Sequence, residues 1–210
     1  MRTAGGPFDK TRYIDLGGGM SARQSVKAYF EERQTPAIRF FHIVILLLVV
    51  SQILVSNFME INDKGEIGHK AFEYYGTWAH IITGMVLVPL VLAFVVIELR
   101  RYGFGYFFPY LSGDFAQIKG DIGRLQKFEL PEPSPKGIAA VVQGLGIGAL
   151  CLVLISGLVW FFAWLNAAAW ANDVKEVHET LTGLVEAYVV GHGAIGILHI
   201  YHHVRLAKSH

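Results

Sequence analysis

Four stretches of the chain stay apolar for longer than a soluble core requires, and each is closed off by polar or proline-containing sequence. They run from about Ala37 to Phe58, Phe72 to Leu99, Gly137 to Trp164 and Val177 to Tyr201. Each meets or exceeds the ~20 apolar residues that carry a helix across a bilayer. The pattern therefore predicts an all-α, integral membrane four-helix bundle. Thr35-Pro36 reads as N-cap and first turn of the first span, and Arg100-Arg101 as the stop of the second. Pro89 marks an expected kink in the second span. Tyr74, Tyr75 and Trp78 at one end of it, with Trp160, Trp164 and Trp170 after the third, read as aromatic belts at one interface.

The sequence between the spans is polar and divides the chain into two parts. Residues 1–34 form an N-terminal segment, and residues 35–210 a four-span domain with a long connection over 100–136. The first twenty residues are glycine-rich with no apolar run behind them, so a cleaved signal peptide is not expected; the stretch is expected to be mobile or held by a partner. From Ser21 a short helix is predicted, with Ser21 as N-cap and Gln24 three residues on. Its Val26, Tyr29 and Phe30 gather at helical spacing, as in a helix lying on a membrane surface. The 100–136 connection begins with aromatics from Tyr102 to Tyr110 and ends with Pro131, Pro133 and Pro135, a stiff return to the third span.

Composition agrees with a membrane protein: 53% of residues are hydrophobic and only 17% charged. The net charge of +1 says little, but the placement of the basic residues says more. Fifteen Lys and Arg lie in the N-terminal segment with Arg39 at the start of the first span, the 100–136 connection and the C-terminal tail, against Lys64, Lys70 and Lys175 on the alternate side. This bias places both termini and the long connection in the cytoplasm of a multi-pass membrane protein. Cys151 is the single cysteine, which excludes internal disulfides, thiolate zinc sites and thioether-attached haem. There is no glycine-rich dinucleotide or phosphate loop and no nucleophile triad context, and no nucleic-acid partner is expected.

The chemistry lies in the histidines. On the fourth span, His178 and His192 are fourteen residues apart, ~21 Å along a helix and within ~40° of the same face. His42 sits one turn inside the first span and His80 just inside the opposite end of the second. Depth pairs His80 with His178 and His42 with His192, two bis-imidazole sites from three helices. Bis-imidazole ligation fills both axial positions of a haem iron and leaves one-electron transfer as the natural activity. Zinc or copper fits two distant pairs without carboxylate or thiolate companions less well. His199, seven residues past His192, could take its place. Gly76, Gly84, Gly183, Gly191 and Gly193 beside the histidines, and Gly144, Gly146, Gly148 and Gly157 on the third span, would clear space for a flat macrocycle or let helices pack closely.

His178-Glu179-Thr180-Leu181, the step to His192 and the His202-His203 ending resemble the last span of the bacterial cytochrome b561 group. That group shares its superfamily with the cytochrome b subunits of nickel–iron hydrogenases. His42 after Arg39, and His80-Ile81-Ile82-Thr83-Gly84, are similar to its ligand positions in the first two spans. The resemblance covers about residues 35–205. It implies two haem b groups with His42, His80, His178 and His192 as axial iron ligands, and a quinone as substrate. The compact stand-alone members, which resemble quinone-linked superoxide oxidases, have shorter termini and connections. The extra segments in this chain favour an electron-transfer subunit that docks a redox partner, with an autonomous quinone-linked oxidoreductase, and a non-redox metal-binding or scaffold protein, as the alternatives.

A few further residues complete the candidate set. Arg39 and Lys136, at the cytoplasmic boundary, are candidates for haem propionate contacts, or ordinary charge anchors. Glu186 falls near the midplane of the fourth span, where an unpaired carboxylate is costly. It is expected to be protonated or hydrogen-bonded, for instance to Gln143 or Gln52, and to tune a haem or relay protons. His199, Tyr201 and His202 form a candidate proton or quinone site at the inner end. His69, His203 and His210 are expected at the interface or in solvent.

Overall fold

The computed structural model describes residues 21–62 and 64–208; the glycine-rich stretch 1–20 and His210 lie outside them. The described chain is all-α: α1 (Ala22–Arg33), α2 (Pro36–Ser56), α3 (Ala71–Tyr102), α4 (Phe104–Phe107), a 3-10 turn at Pro109–Ser112, α5 (Ala116–Leu125), α6 (Ile138–Leu165) and α7 (Ala171–Lys208). Four of these helices, α2, α3, α6 and α7, are long and apolar enough to cross a membrane. The protein is a multi-pass membrane protein.

Local signals place the helix ends where the sequence puts them. Ser21 and Gln24 exchange reciprocal bonds, Ser21 N donating to Gln24 Oε1 at 2.9 Å and Gln24 N to Ser21 Oγ at 3.3 Å, which satisfies two N–H groups that the helix start leaves orphaned. Thr35 Oγ1 accepts from Ile38 N at 3.3 Å, capping α2. Pro89 lies inside α3 without interrupting it. The larger departure is α7, a single helix of 38 residues, ~57 Å long. It begins six residues before the apolar run at Val177, because nothing from Ala171 to Glu176 breaks a helix and Lys175 reaches Glu179 one turn on at 3.7 Å.

By contacts the chain forms two compact units, whose boundary runs through α2 and α7. One comprises the described parts of Met1–Phe40 and Gly193–His210. There the Tyr29 ring meets His203 edge-on at 5.3 Å and carries the Arg33 guanidinium at 4.1 Å. Burial pushes the Tyr29 hydroxyl above its usual range, with Arg33 pulling the other way. The other unit, Phe41–His192, contains the packed bundle. Its core is a layer of Ile45 and Val49 from α2, Leu87 and Val91 from α3, Ala149 and Val153 from α6, and Val185 from α7.

The two ends of this bundle are closed differently. At one end, the described residues of 57–70 form a tight loop with an antiparallel bridge between Ile61 and Ile67. Trp164 Nε1 donates to Gly65 O at 2.8 Å and Lys175 Nζ to Ile61 O at 3.1 Å, tying the loop to α6 and α7. At the other end, Asp121 on α5 accepts from Ile138 N at 2.8 Å and from Gln117 Nε2 at 2.9 Å, so α5 caps the first turn of α6.

Candidate functional site

Val185 stands seven residues from both His178 and His192 on α7, two turns in each direction, so the apolar layer separates two histidine levels. At the level nearer the 57–70 loop, the rings of His80 on α3 and His178 on α7 face one another with centroids 6.2 Å apart and planes at 89°. At the other level His42 on α2 and His192 on α7 lie 6.1 Å apart at 54°. The four sequence candidates thus come together as two pairs, and the ring beside His42 is that of His192.

Each ring is held by neighbours that leave it little freedom. His178 Nδ1 lies 3.0 Å from Val153 O and 3.0 Å from Ser156 Oγ, while Ser156 donates to Val153 O at 2.9 Å. An Nδ1–H donating to that carbonyl would leave Nε2 as the nitrogen free to coordinate, the usual way in which an outer hydrogen bond sets a histidine ligand. The ring rests on Gly157, where a Cβ would stand 3.0 Å from Cε1. His80 is fixed through its backbone: Gln52 Nε2 donates to His80 O at 3.1 Å and also to the Thr83 hydroxyl. Nδ1 of His80 is buried with no hydrogen-bond partner among the described residues, a polar atom that calls for a ligand from outside the chain. At the second level Phe94 stacks on His42 at 6.4 Å and 17°, and Tyr188 on His192 at 5.1 Å and 12°. Tyr188 lies where a Cβ on Gly146 would be.

A cavity of about 370 Å³ surrounds the first pair, lined by His80, Gly84, Gly157 and His178 with Trp160 and Met59. The ring separations provide a test of what could fill such sites. Two imidazoles on opposite sides of one metal, with a metal–nitrogen bond of about 2.0 Å and about 1.1 Å from nitrogen to ring centre, have centroids about 6.2 Å apart. Both pairs meet that spacing. Among the described residues no cluster of three or more His, Cys, Asp or Glu could hold a metal ion without further ligands. A planar group that supplies its own equatorial donors, such as haem, fits the pairs.

The glycines divide between the two roles open to them. Gly84 and Gly157 line the cavity, but Gly144 and Gly146 admit Phe107 and Tyr188, and a Cβ on Gly148, Gly183, Gly191 or Gly193 would meet nothing within 4 Å. Trp160 is buried in the cavity wall and stacks on Trp164 at 5.7 Å, so of the three belt tryptophans it faces inward, while Trp170 is exposed.

The remaining candidates do not converge on one place. Glu186 is exposed on α7, and Gln52, offered as its partner, is bonded to His80 and Thr83 instead. The inward line of α7 passes through Val185 and Tyr188, which leaves Glu186 on the outer face. Lys136 Nζ pairs with Asp114 Oδ2 at 2.9 Å. Arg39 is half-buried in the first turn of α2. His199 is half-buried, and Tyr201 and His202 are exposed.

Sequence reasoning passed over one carboxylate, Glu98 in the last turns of α3, which is 1% exposed. A lone acid inside an apolar span is itself a signal, but two residues before Arg100-Arg101 it reads as the beginning of the polar flank. Residues 33–209 match the family described as Prokaryotic cytochrome b561. No curated protein and no solved structure matches the chain.

Proposed function

Since the chain belongs to the prokaryotic cytochrome b561 family, whose members are di-haem electron-transfer cytochromes of membranes, we propose that it is a subunit carrying electrons between a redox partner and the quinone pool. His80 with His178, and His42 with His192, hold one haem b each. The observation that carries this reading is the pair of ring separations, 6.2 and 6.1 Å, at two levels of one bundle. When bound, haem supplies a one-electron couple, and two imidazoles on each iron keep oxygen from binding there.

The chain's own residues do the rest. Val153 and Ser156 orient His178 through Nδ1, Gln52 holds the α3 backbone at His80, and Phe94 and Tyr188 keep the other two rings flat against aromatic faces. The apolar layer of Val49, Leu87, Val153 and Val185 keeps water from the path between the levels. The ligand positions on α7 are ~21 Å apart along the helix, so the two sites span much of the ~30 Å hydrocarbon core. The basic residues favour an inner bacterial membrane orientation with the His42–His192 level toward the cytoplasm.

The test is a reduced-minus-oxidised absorbance spectrum of the detergent-purified chain with haem quantitation. Two low-spin b haems per chain are expected. A folded, colourless preparation that takes up no haem overturns the reading. Reduction by a quinol analogue in the isolated chain, with superoxide as the alternative donor, separates a subunit from an autonomous oxidoreductase.

A further inference from the structure

Glu98 is the most deeply buried carboxylate among the described residues, and neither of its oxygens has a hydrogen-bond partner there. An acid in an apolar interior normally pairs, bonds or gives way to an apolar residue. In Glu98 the side chain packs, but its polar head has no structural task.

Its surroundings are specific. Glu98 lies one turn, about 6 Å of rise, beyond Phe94, whose ring stacks on His42. Past it the chain reverses at Gly103, with φ of 81°, and α4 folds back beneath the bundle. Phe107 is fully buried, 6.0 Å from the Tyr102 ring and 4.8 Å from that of Tyr106. Phe107 O would come within 2.8 Å of a Cβ on Gly144, so α4 is pressed against α6 and closes this end of the bundle. The groups whose charge bears on Glu98 are Arg101, from its own helix, and Tyr106, from α4; the Arg101 guanidinium lies over the Tyr102 ring at 5.2 Å. Burial, then Tyr102 and Glu98, push the Tyr106 hydroxyl above its usual range.

We propose that Glu98 is a redox-linked proton acceptor for the haem site at His42 and His192. The proposal rests on the di-haem function assigned to the chain. Glu98 takes one proton from water and forms one O–H bond for each electron that stays on that iron; reoxidation returns both. The electrons come from a donor of the hydroquinone class, which is oxidised and releases its own protons to water. The driving force is electrostatic. One unit of charge at about 10 Å in an effective dielectric of about 20 changes the proton affinity of a carboxyl roughly tenfold or more.

The experiment uses the full haem-loaded chain in detergent. Midpoint potentials of both haems are titrated over a range of pH, and redox-difference infrared spectra are recorded in water and heavy water. The expected result is one haem with a pH-dependent potential and a redox-sensitive carboxyl band that shifts in heavy water. Glu98→Gln keeps two haems but abolishes both signals. Unchanged pH dependence in that variant, or a wild-type chain with no such band, overturns the proposal. If Glu98→Gln does not assemble, Glu98→Asp carries the test: the band moves and the pH dependence persists, and an unmoved band refutes the assignment. A wild-type chain without haem removes the di-haem function and the role of Glu98 together, whereas two haems with no effect of Glu98 remove the role of Glu98 alone.

Discussion

Gly157→Ala probes how the His80–His178 level is held. A Cβ at this position would stand 3.0 Å from Cε1 and 3.3 Å from Nδ1 of His178, whereas carbon contacts settle at about 3.5–4.0 Å. The ring must therefore retreat from α6 by about 0.5 Å. Its Nδ1 bond to Val153 O is 3.0 Å long, and that retreat brings it to the limit of a hydrogen bond, about 3.5 Å. Losing the bond costs about 0.5–1.5 kcal/mol, and crowding a packed site costs about 1–3 kcal/mol. Alanine recovers up to about 1 kcal/mol over glycine in a helix. A net loss of about 0.5–3.5 kcal/mol remains, and it falls on the geometry of the proposed ligand, where disturbing an outer partner lowers metal affinity by roughly 10–100-fold. The assay is haem stoichiometry during dilution in detergent, with low-temperature spectra that resolve the two haems. One haem should be lost early while the other is retained. Gly148→Ala, where a Cβ meets nothing within 4 Å, should keep both haems and match or exceed the parent in stability. If Gly157→Ala retains both haems with unchanged spectra and melting temperature, neither the close approach of α6 nor the Val153 carbonyl is what holds His178.

Gly146→Ala should perturb the other level, because its methyl takes the place of the Tyr188 ring that stacks on His192; the complementary haem should weaken, read in the same spectra. Asp121→Ala should cost about 1–2 kcal/mol by leaving Ile138 N without its acceptor, lowering the melting temperature, whereas Asp121→Asn, which retains an acceptor oxygen, should cost less. The Lys136 partner depresses the Asp114 carboxyl, mainly through their hydrogen bond. A depressed folded value means that this contribution is complete above the ordinary carboxylate range and is lost as pH falls through the depressed value. Lys136→Met should then lower stability near neutrality by a difference that shrinks and disappears in acid; a neutral stability equal to that of the parent, or a loss that persists in acid, would contradict the assignment.

How much of this was legible in the chain depends on whether a property accumulates along one helix. The four spans, and the levels of His42, His80, His178 and His192, follow from apolar length and from a rise of 1.5 Å per residue, so local sequence determined them and paired the histidines by depth. The caps at Ser21 and Thr35 are equally local. Rotation about the helix axis is a different matter. A span that is apolar all round has no polar face to reveal which side points inward, and only packing decided it. That is why Glu186, beside inward-facing Val185, lies exposed, while Glu98, which reads as the first residue of a polar flank, is closed in by an aromatic turn. The same holds for Gly146 and Gly157, whose missing side chains matter because of rings from α7, and for Asp121, which caps α6 from seventeen residues upstream. Depth belongs to each helix alone, but facing belongs to the bundle.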